Sequence, residues 1–131
     1  LGDHGGYQAS EQRVAAKLNR EWAGKSAGST VRVHAPAEFY QAAATGYAQW
    51  LAGKGHGRDE IGIHAGLADT SLALAVDPGL VRKDRLLGPK AGEGEGVWGD
   101  PRRASVELGQ AGLEQIVSKT VANLRARIEA R

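Results

Sequence analysis

Apolar residues recur at every fourth position in the first predicted helix. Between residues 8 and 22, Val14, Leu18 and Trp22 are separated by charged and polar residues. This spacing places the three side chains in one stripe along a helix. We therefore expect an amphipathic helix directly after the glycine-rich loop that opens the chain.

A longer pattern of the same kind occupies residues 101–131. Pro101 suits the first turn of a helix, where its missing N–H has no partner to lose. The apolar positions, mostly three or four residues apart, are Val106, Leu113, Ile116, Val117, Val121, Leu124 and Ile128. The pattern predicts a long amphipathic C-terminal helix. Because glycine weakens a helix, we expect a break or kink around Gly109 and Gly112.

Shorter patterns between these helices favour alternating strands and helices. Residues 30–35, "TVRVHA", alternate in polarity and are rich in β-branched side chains, which is typical of a strand that Pro36 ends. The Ala-rich residues 37–51 predict a helix. The segment "IGIHAG" predicts the end of a strand followed by a loop. The segment "SLALAVDP" predicts another helix. This order is typical of an α/β layer fold, which we expect here.

Composition excludes several classes of protein. A chain of 131 residues is long enough for one domain. Its 17 Lys and Arg are interspersed with 15 Asp and Glu, so no basic surface for nucleic acid is indicated. Without cysteine there is no disulfide framework and no thiolate metal site. No apolar run approaches the roughly 18 residues that a membrane span needs.

The first residues suggest that the chain is derived from something longer. The sequence contains no methionine, and Leu1 is not a start residue. We therefore expect a processed or clipped chain. The opening residues show no charged-then-apolar pattern of the kind expected for a signal segment. The absence of cysteine is compatible with both cytoplasm and periplasm.

Two stretches combine a histidine, a carboxylate and glycines. In "GDHGG", His4 follows Asp3 and precedes two glycines at a helix start, where free N–H groups favour an anion or oxyanion. In "HAGLADTS", His64 lies five residues before Asp69, and Gly66 allows close approach of a ligand to the backbone. Imidazole and carboxylate groups are ligands for Zn²⁺ or Mn²⁺. These stretches are therefore candidate metal or anion sites.

Each candidate also has a purely structural interpretation. A histidine in a glycine turn is more often an ordinary loop residue, and Asp69 before Thr70 is by default a helix cap. His34 is expected on a strand, and His56 in a solvated loop. Trp98 is equally compatible with a pocket wall and a packing plug.

The combination of three motifs changes this balance. "GDHGGYQ", "IGIHAGLADTSLALAVDPGLV" and "GVWGDPRRASVELGQAGLEQIV" occur in an order that resembles the C-terminal half of the creatininase (creatinine amidohydrolase) family. The resemblance implies a three-layer α/β/α fold with a mostly parallel sheet. In it, residues 1–131 form the C-terminal half of one domain, whose N-terminal half is absent from this chain. It also implies a divalent metal site, hydrolysis of C–N bonds in cyclic or linear amides, a ring-like homohexamer and a cytoplasmic location.

The resemblance assigns roles to individual residues. His4 matches a metal-binding histidine, His64 matches the histidine near the scissile amide, and Asp69 matches a glutamate at or beside the metals. The residues expected beside the substrate or its oxyanion are Gly5, Gly6 and Trp98. The sequence departs from the family pattern where Asp3 and Tyr7 replace asparagines, and where Asp69 is one methylene shorter than glutamate.

Most of the metal ligands implied by the resemblance are missing. The Glu-x-His motif and a further aspartate lie in the family's N-terminal half, and residues 1–131 contain no match to them. One histidine and one aspartate cannot hold a catalytic Zn²⁺, which takes about three protein ligands. Either a companion polypeptide therefore supplies the remaining ligands, or this chain cannot catalyse; we expect a companion and no activity from this chain alone.

The resemblance therefore implies a metal-dependent amidohydrolase that uses zinc, manganese or both and acts on a small-molecule amide. In this scheme a metal-bound water attacks the amide carbon, and His64 stabilises the oxyanion or protonates the leaving nitrogen. One alternative is a non-catalytic relative that binds a small anion or ligand after losing the metal chemistry. Another is a purely structural fragment held in an oligomer.

Overall fold

The computed structural model describes residues 4–23, 31–86 and 96–130, and 75% of these residues are helical. The α-helices are α1 (Gln8–Ala23), α2 (Glu38–Gln41), α3 (Ala48–Gly53), α4 (Arg58–Ile61), α5 (Leu67–Val76), α6 (Lys83–Leu86) and α7 (Val106–Glu129). A π-helical segment, Ala42–Tyr47, joins α2 to α3. Short 3₁₀ turns occupy Gly5–Tyr7, Pro78–Leu80 and Pro101–Arg103.

The expected three-layer α/β/α fold with a mostly parallel sheet is wrong, because the described residues form no strand. Residues 31–37 lack regular secondary structure, and the main chain of Val33 pairs with a side chain of α1. The Asn19 amide donates to the Val33 carbonyl and accepts from the Val33 N–H, both at 2.8 Å. A segment becomes a strand only when another main chain pairs with it. Local alternation in residues 30–35 could not supply that partner, and Thr30 itself lies outside the described residues.

The first predicted helix is confirmed as α1, although little of it is buried. Ala15 is its one buried residue, whereas Val14 is 54% exposed and Trp22 is 36% exposed. Periodicity therefore predicted the element correctly. Periodicity could not show how much of this apolar stripe other described residues would bury.

The predicted helix over residues 37–51 is confirmed in outline, with a π-helical interior. This wider segment ends at Tyr47, and both Tyr47 and Leu51 are fully buried. They form a core cluster with Ile61 and Leu67. The cluster therefore connects the π segment and α3 to the N-terminal end of α5.

Helices α5 and α7 make the most extensive helix contact among the described elements. Gly109 and Gly112 lie within α7, which runs without interruption from Val106 to Glu129, so the expected break is wrong. A Cβ atom on Gly109 would overlap the carbonyl oxygen of Ser71, and one on Gly112 would lie 2.8 Å from the Tyr47 ring. These glycines allow close packing between elements.

No helix in the described ranges is both long and apolar enough to cross a membrane.

Candidate functional site

The second and third motifs meet through their main chains. The Trp98 N–H donates to the His64 carbonyl at 2.8 Å, and the Ile63 N–H donates to the Trp98 carbonyl at the same distance. His64 and Trp98 thus form an isolated antiparallel bridge. The structure therefore brings together two candidate residues that are distant in sequence.

Three glycines allow this close approach, and we call Gly62, Gly66 and Gly99 the glycine junction. Gly62 has a φ of +71° and Gly99 a φ of +159°. A Cβ atom on Gly99 would lie 2.6 Å from the Cα of Gly66, and one on Gly66 would lie 2.5 Å from the Ile61 carbonyl oxygen. Main chain packs directly on main chain at this junction, so side chains there are excluded.

The bridge presents two exposed side chains. His64 is exposed, and Trp98 is 48% exposed. Directly opposed residues of an antiparallel pair place their side chains on the same face. The bridge therefore carries an exposed imidazole and an exposed indole on directly opposed residues.

Asp69 lies in the first turn of α5 and bonds to the loop that carries His64. Its Oδ2 atom accepts from the Ala65 N–H at 2.9 Å, and the Thr70 hydroxyl donates to the Ala65 carbonyl at 3.2 Å. Ala65 has a φ of +50° and is the one non-glycine residue with positive φ in the described ranges. The N-cap position itself belongs to Gly66. Asp69 thus contacts the residue directly after His64.

His4 caps the 3₁₀ turn that precedes α1. Its Nδ1 atom accepts from the Gly6 N–H at 2.9 Å, and its ring centroid lies 5.6 Å from that of Tyr7. A neutral imidazole has one lone pair on its ring nitrogens, so Nε2 carries the proton in this arrangement. Metal binding by His4 would require the Gly6 bond to break. Asp3 lies outside the described residues.

The described residues do not fit a metal on their own. No group of three or more histidines, aspartates or glutamates in these ranges is arranged to hold an ion. His4 and Asp69, the two candidate ligands, are fewer than the roughly three that a catalytic zinc site takes.

His56 and Glu60 form a polar contact that the sequence did not reveal. The His56 side chain is only 8% exposed, and its Nδ1 atom lies 3.1 Å from a Glu60 carboxylate oxygen. His56 lies in a loop as expected, but its side chain is buried and not solvated. The sequence carried no signal for this pair, because His56 precedes α4 and does not share a helix face with Glu60.

Glu60 also holds the third motif in place. Its carbonyl accepts from the Asp100 N–H at 3.0 Å, and its carboxylate pairs with the Arg103 guanidinium at 3.2 Å. This anchors the turn at Pro101–Arg103 beside α4. The chain is therefore hydrogen-bonded on both sides of Gly99, through Trp98 to His64 and through Asp100 to Glu60.

A cleft lies on the α1 side of the described structure. It has a volume of about 990 Å³ and is lined by α1, residues 33–36 and Phe39. His34 is exposed and lies on its wall. Tyr7, which contacts His4, also lines this cleft, so the cleft adjoins the first motif.

Burial raises the pKa of Tyr47, which belongs to the core cluster. Loss of hydration is the largest cause, and the negative charge of Asp69 adds a smaller effect in the same direction. The phenol donates to the Leu108 carbonyl at 2.9 Å. Tyr47 therefore acts as a neutral packing residue that ties the π segment to α7.

One comparison with known proteins gives a match. A family model described as "Creatininase: Creatinine amidohydrolase" matches residues 1–124. No curated protein and no solved structure is significantly similar to the chain.

Proposed function

The chain belongs to the creatininase family, and we propose that it supplies part of the active site of an amidohydrolase acting on a C–N bond of a cyclic or linear amide. The observation that carries the proposal is the bridge between His64 and Trp98, which unites two motifs at an exposed face. An exposed polar group held on a rigid main chain suits catalysis, because little reorganisation is needed during the reaction.

In this proposal His64 performs the proton chemistry. An imidazole is able to act as a general acid, so it could protonate a leaving nitrogen or donate to a developing oxyanion. Trp98 offers a flat apolar surface beside it, on which a planar amide is able to stack. The two residues would therefore orient the substrate and assist departure of its amine.

The glycine loop is proposed to bind the oxyanion, which requires one existing hydrogen bond to be exchanged. The Gly5 and Gly6 N–H groups are the proposed donors to an oxyanion. The Gly6 N–H already donates to His4 Nδ1. A substrate oxygen would have to replace that acceptor, which would also free the His4 ring.

We propose that metal binding, which is general in the family, depends on ligands beyond the described residues. His4 and Asp69 would be this chain's contribution to a zinc or manganese site. A companion polypeptide carrying a Glu-x-His motif would supply the rest, within a homo-oligomer. That oligomer is proposed to be a homohexamer.

The test is an assay of the complete assembly, purified with any associated polypeptide, against a panel of cyclic and linear amides. We expect His64→Ala to lower kcat at least about 100-fold, the lower end of what general acid–base groups contribute. His34→Ala, which alters another exposed histidine, is the matched control and should retain activity. Full activity in His64→Ala would refute the assigned role.

A second candidate function is binding of a small anion without catalysis. It is favoured by the engagement of His4 Nδ1 in a cap and by the absence of a three-ligand group in the described ranges. Metal analysis of the complete assembly separates the two. Stoichiometric zinc or manganese favours the hydrolase. Metal-free protein that is thermally stabilised by phosphate favours the binding protein.

A further inference from the structure

We propose that Asp69 is a positioning residue whose carboxylate clamps Ala65 in a left-handed conformation and thereby fixes the direction of His64. The catalytic consequence rests on the proposed function of His64, whereas the clamp itself rests on geometry alone. The clamp consists of Asp69 and Thr70, acting on the main chain of Ala65.

The conformation of Ala65 requires an external restraint. Its φ of +50° lies in the region where the Cβ of an L-residue meets the main chain, so such residues leave it unless their surroundings hold them there. Glycine would adopt this conformation without strain, but residue 65 is an alanine. Ala65 is therefore the strained link between His64 and Gly66.

The restraint comes from both sides of the Ala65 residue. Asp69 Oδ2 accepts from its N–H at 2.9 Å, while the Thr70 hydroxyl donates to its carbonyl at 3.2 Å. A short carboxylate is well suited to such local main-chain bonds. Both polar groups of one residue are thus held by consecutive side chains of α5.

The clamp is mounted on a well-packed support. Leu67 and Ser71 of α5 are fully buried, and Thr70 is only 8% exposed. These buried side chains therefore hold the first turn of α5 in place when the preceding loop moves. Asp69 and Thr70 transmit this rigidity to Ala65.

The neighbours of Ala65 are fixed by different contacts. His64 is bonded to Trp98 through its carbonyl, and Gly66 is packed against Gly99. Ala65 is the remaining point at which the peptide could rotate. Without the Asp69 bond, the main chain of Ala65 should relax out of the left-handed conformation. The His64 imidazole would then adopt several orientations, which should lower kcat more than it raises KM.

The experiment measures amide hydrogen exchange by NMR and steady-state kinetics on the complete assembly. We expect Asp69→Ala to accelerate exchange of the Ala65 amide at least tenfold and to lower kcat at least tenfold with little change in KM. Asp69→Asn keeps a carbonyl acceptor for the Ala65 N–H and should restore its slow exchange, whereas kcat should stay low because a carboxamide is a poor substitute for the proposed metal-binding carboxylate. Asp77→Ala is the matched control, because Asp77 makes an analogous 2.8 Å bond to Gly79 at the other end of α5.

The outcomes separate the clamp from the function. Unchanged exchange of the Ala65 amide in Asp69→Ala overturns the clamp, whatever the activity. Faster exchange with unchanged kcat overturns the positioning role. Faster exchange in an assembly that hydrolyses no amide supports the clamp and refutes the proposed function.

A second variant tests the strain without removing the carboxylate. Ala65→Gly removes the Cβ while leaving Asp69 and Thr70 in place, so we expect a higher Tm. A Tm below that of the parent protein would overturn the premise that Ala65 is strained.

Discussion

Gly109→Ala probes how closely α5 and α7 approach each other. The new Cβ would overlap the Ser71 carbonyl oxygen and would lie 2.5 Å from the Ser71 carbonyl carbon and 2.7 Å from the Cβ of Ala75. Comfortable carbon–carbon contacts are about 3.5–4.0 Å. The helices would therefore have to separate by about 1 Å, because a main-chain atom has no alternative rotamer.

The magnitude follows from two opposing effects. Overpacking a core costs about 1–3 kcal/mol, and the clash with main chain favours the upper end of that range. Alanine in place of glycine within a helix returns about 1 kcal/mol. We expect a net loss of about 2 kcal/mol in the free energy of unfolding, which lowers Tm by about 6–10 °C for a chain of this size.

The assay is thermal denaturation followed by far-ultraviolet circular dichroism, with Gly53→Ala as the matched control. Gly53 ends α3, and a Cβ there would meet no atom within 4 Å. It should therefore leave Tm unchanged or raise it by about 2–4 °C through helix propensity. If Gly109→Ala were as stable as Gly53→Ala, the close contact between α5 and α7 would be refuted.

Three further predictions concern a cap and two titrating groups. Ser105→Ala removes the α7 N-cap, whose hydroxyl accepts from the Leu108 N–H at 3.3 Å, and should lower the free energy of unfolding by about 1 kcal/mol, whereas exposed Ser118→Ala should not. The check is urea denaturation of both variants. Burial raises the pKa of Tyr47 in the folded protein above its ordinary value of 10.0, so the contribution of Tyr47 to the free energy of unfolding is complete below pH 10 and declines as pH rises toward the folded pKa. Tyr47→Phe should lack this decline in urea midpoints measured from pH 9 upward. The pKa of Glu38 is lowered by its own main-chain N–H and by Arg127, so its stabilisation is present above pH 4.5 and is lost as pH falls through the folded pKa. In Glu38→Gln the free energy of unfolding should therefore decrease less as pH falls below 4.5, with a difference from the parent of less than about 1 kcal/mol because the side chain is 36% exposed. An equally steep decrease in the variant and the parent would contradict this.

The helices were predictable because their signal is local. The periodicity of residues 8–22 and 106–128 depends only on neighbours along the chain, and both helices are confirmed. The expected helix start at Pro101 is wrong, because Pro101 lies in a separate 3₁₀ turn and Ser105 caps α7. The strand at residues 30–35 failed for the opposite reason, since a strand needs a second main chain. Asn19 occupies that role for Val33, and nothing in the alternation of the segment indicates it.

The glycines of α7 show a similar limit. Periodicity treats Gly109 as a weak point in a helix. Its actual effect depends on Ser71, which lies on another helix and far away in sequence. Helix propensity describes only the local cost of glycine and contains no information about the packing that makes glycine necessary here.

The candidate site was predictable as motifs and not as geometry. The sequence singled out His64, Asp69 and Trp98, yet gave no indication that His64 and Trp98 are bridged. The bond from Asp69 to Ala65 depends on a left-handed main-chain conformation at an alanine, a residue type that carries no signal for it. Local patterns therefore identified the participants, and tertiary contacts determined their partners.

The glycine junction has a consequence for how this protein can vary. A clash between two side chains is repaired when the second residue becomes smaller, so most packed positions change in correlated pairs. At Gly62, Gly66 and Gly99 the opposing atoms belong largely to main chain, which every residue type shares. No second mutation can make room there, so we expect each of the three positions to be fixed independently of its neighbours.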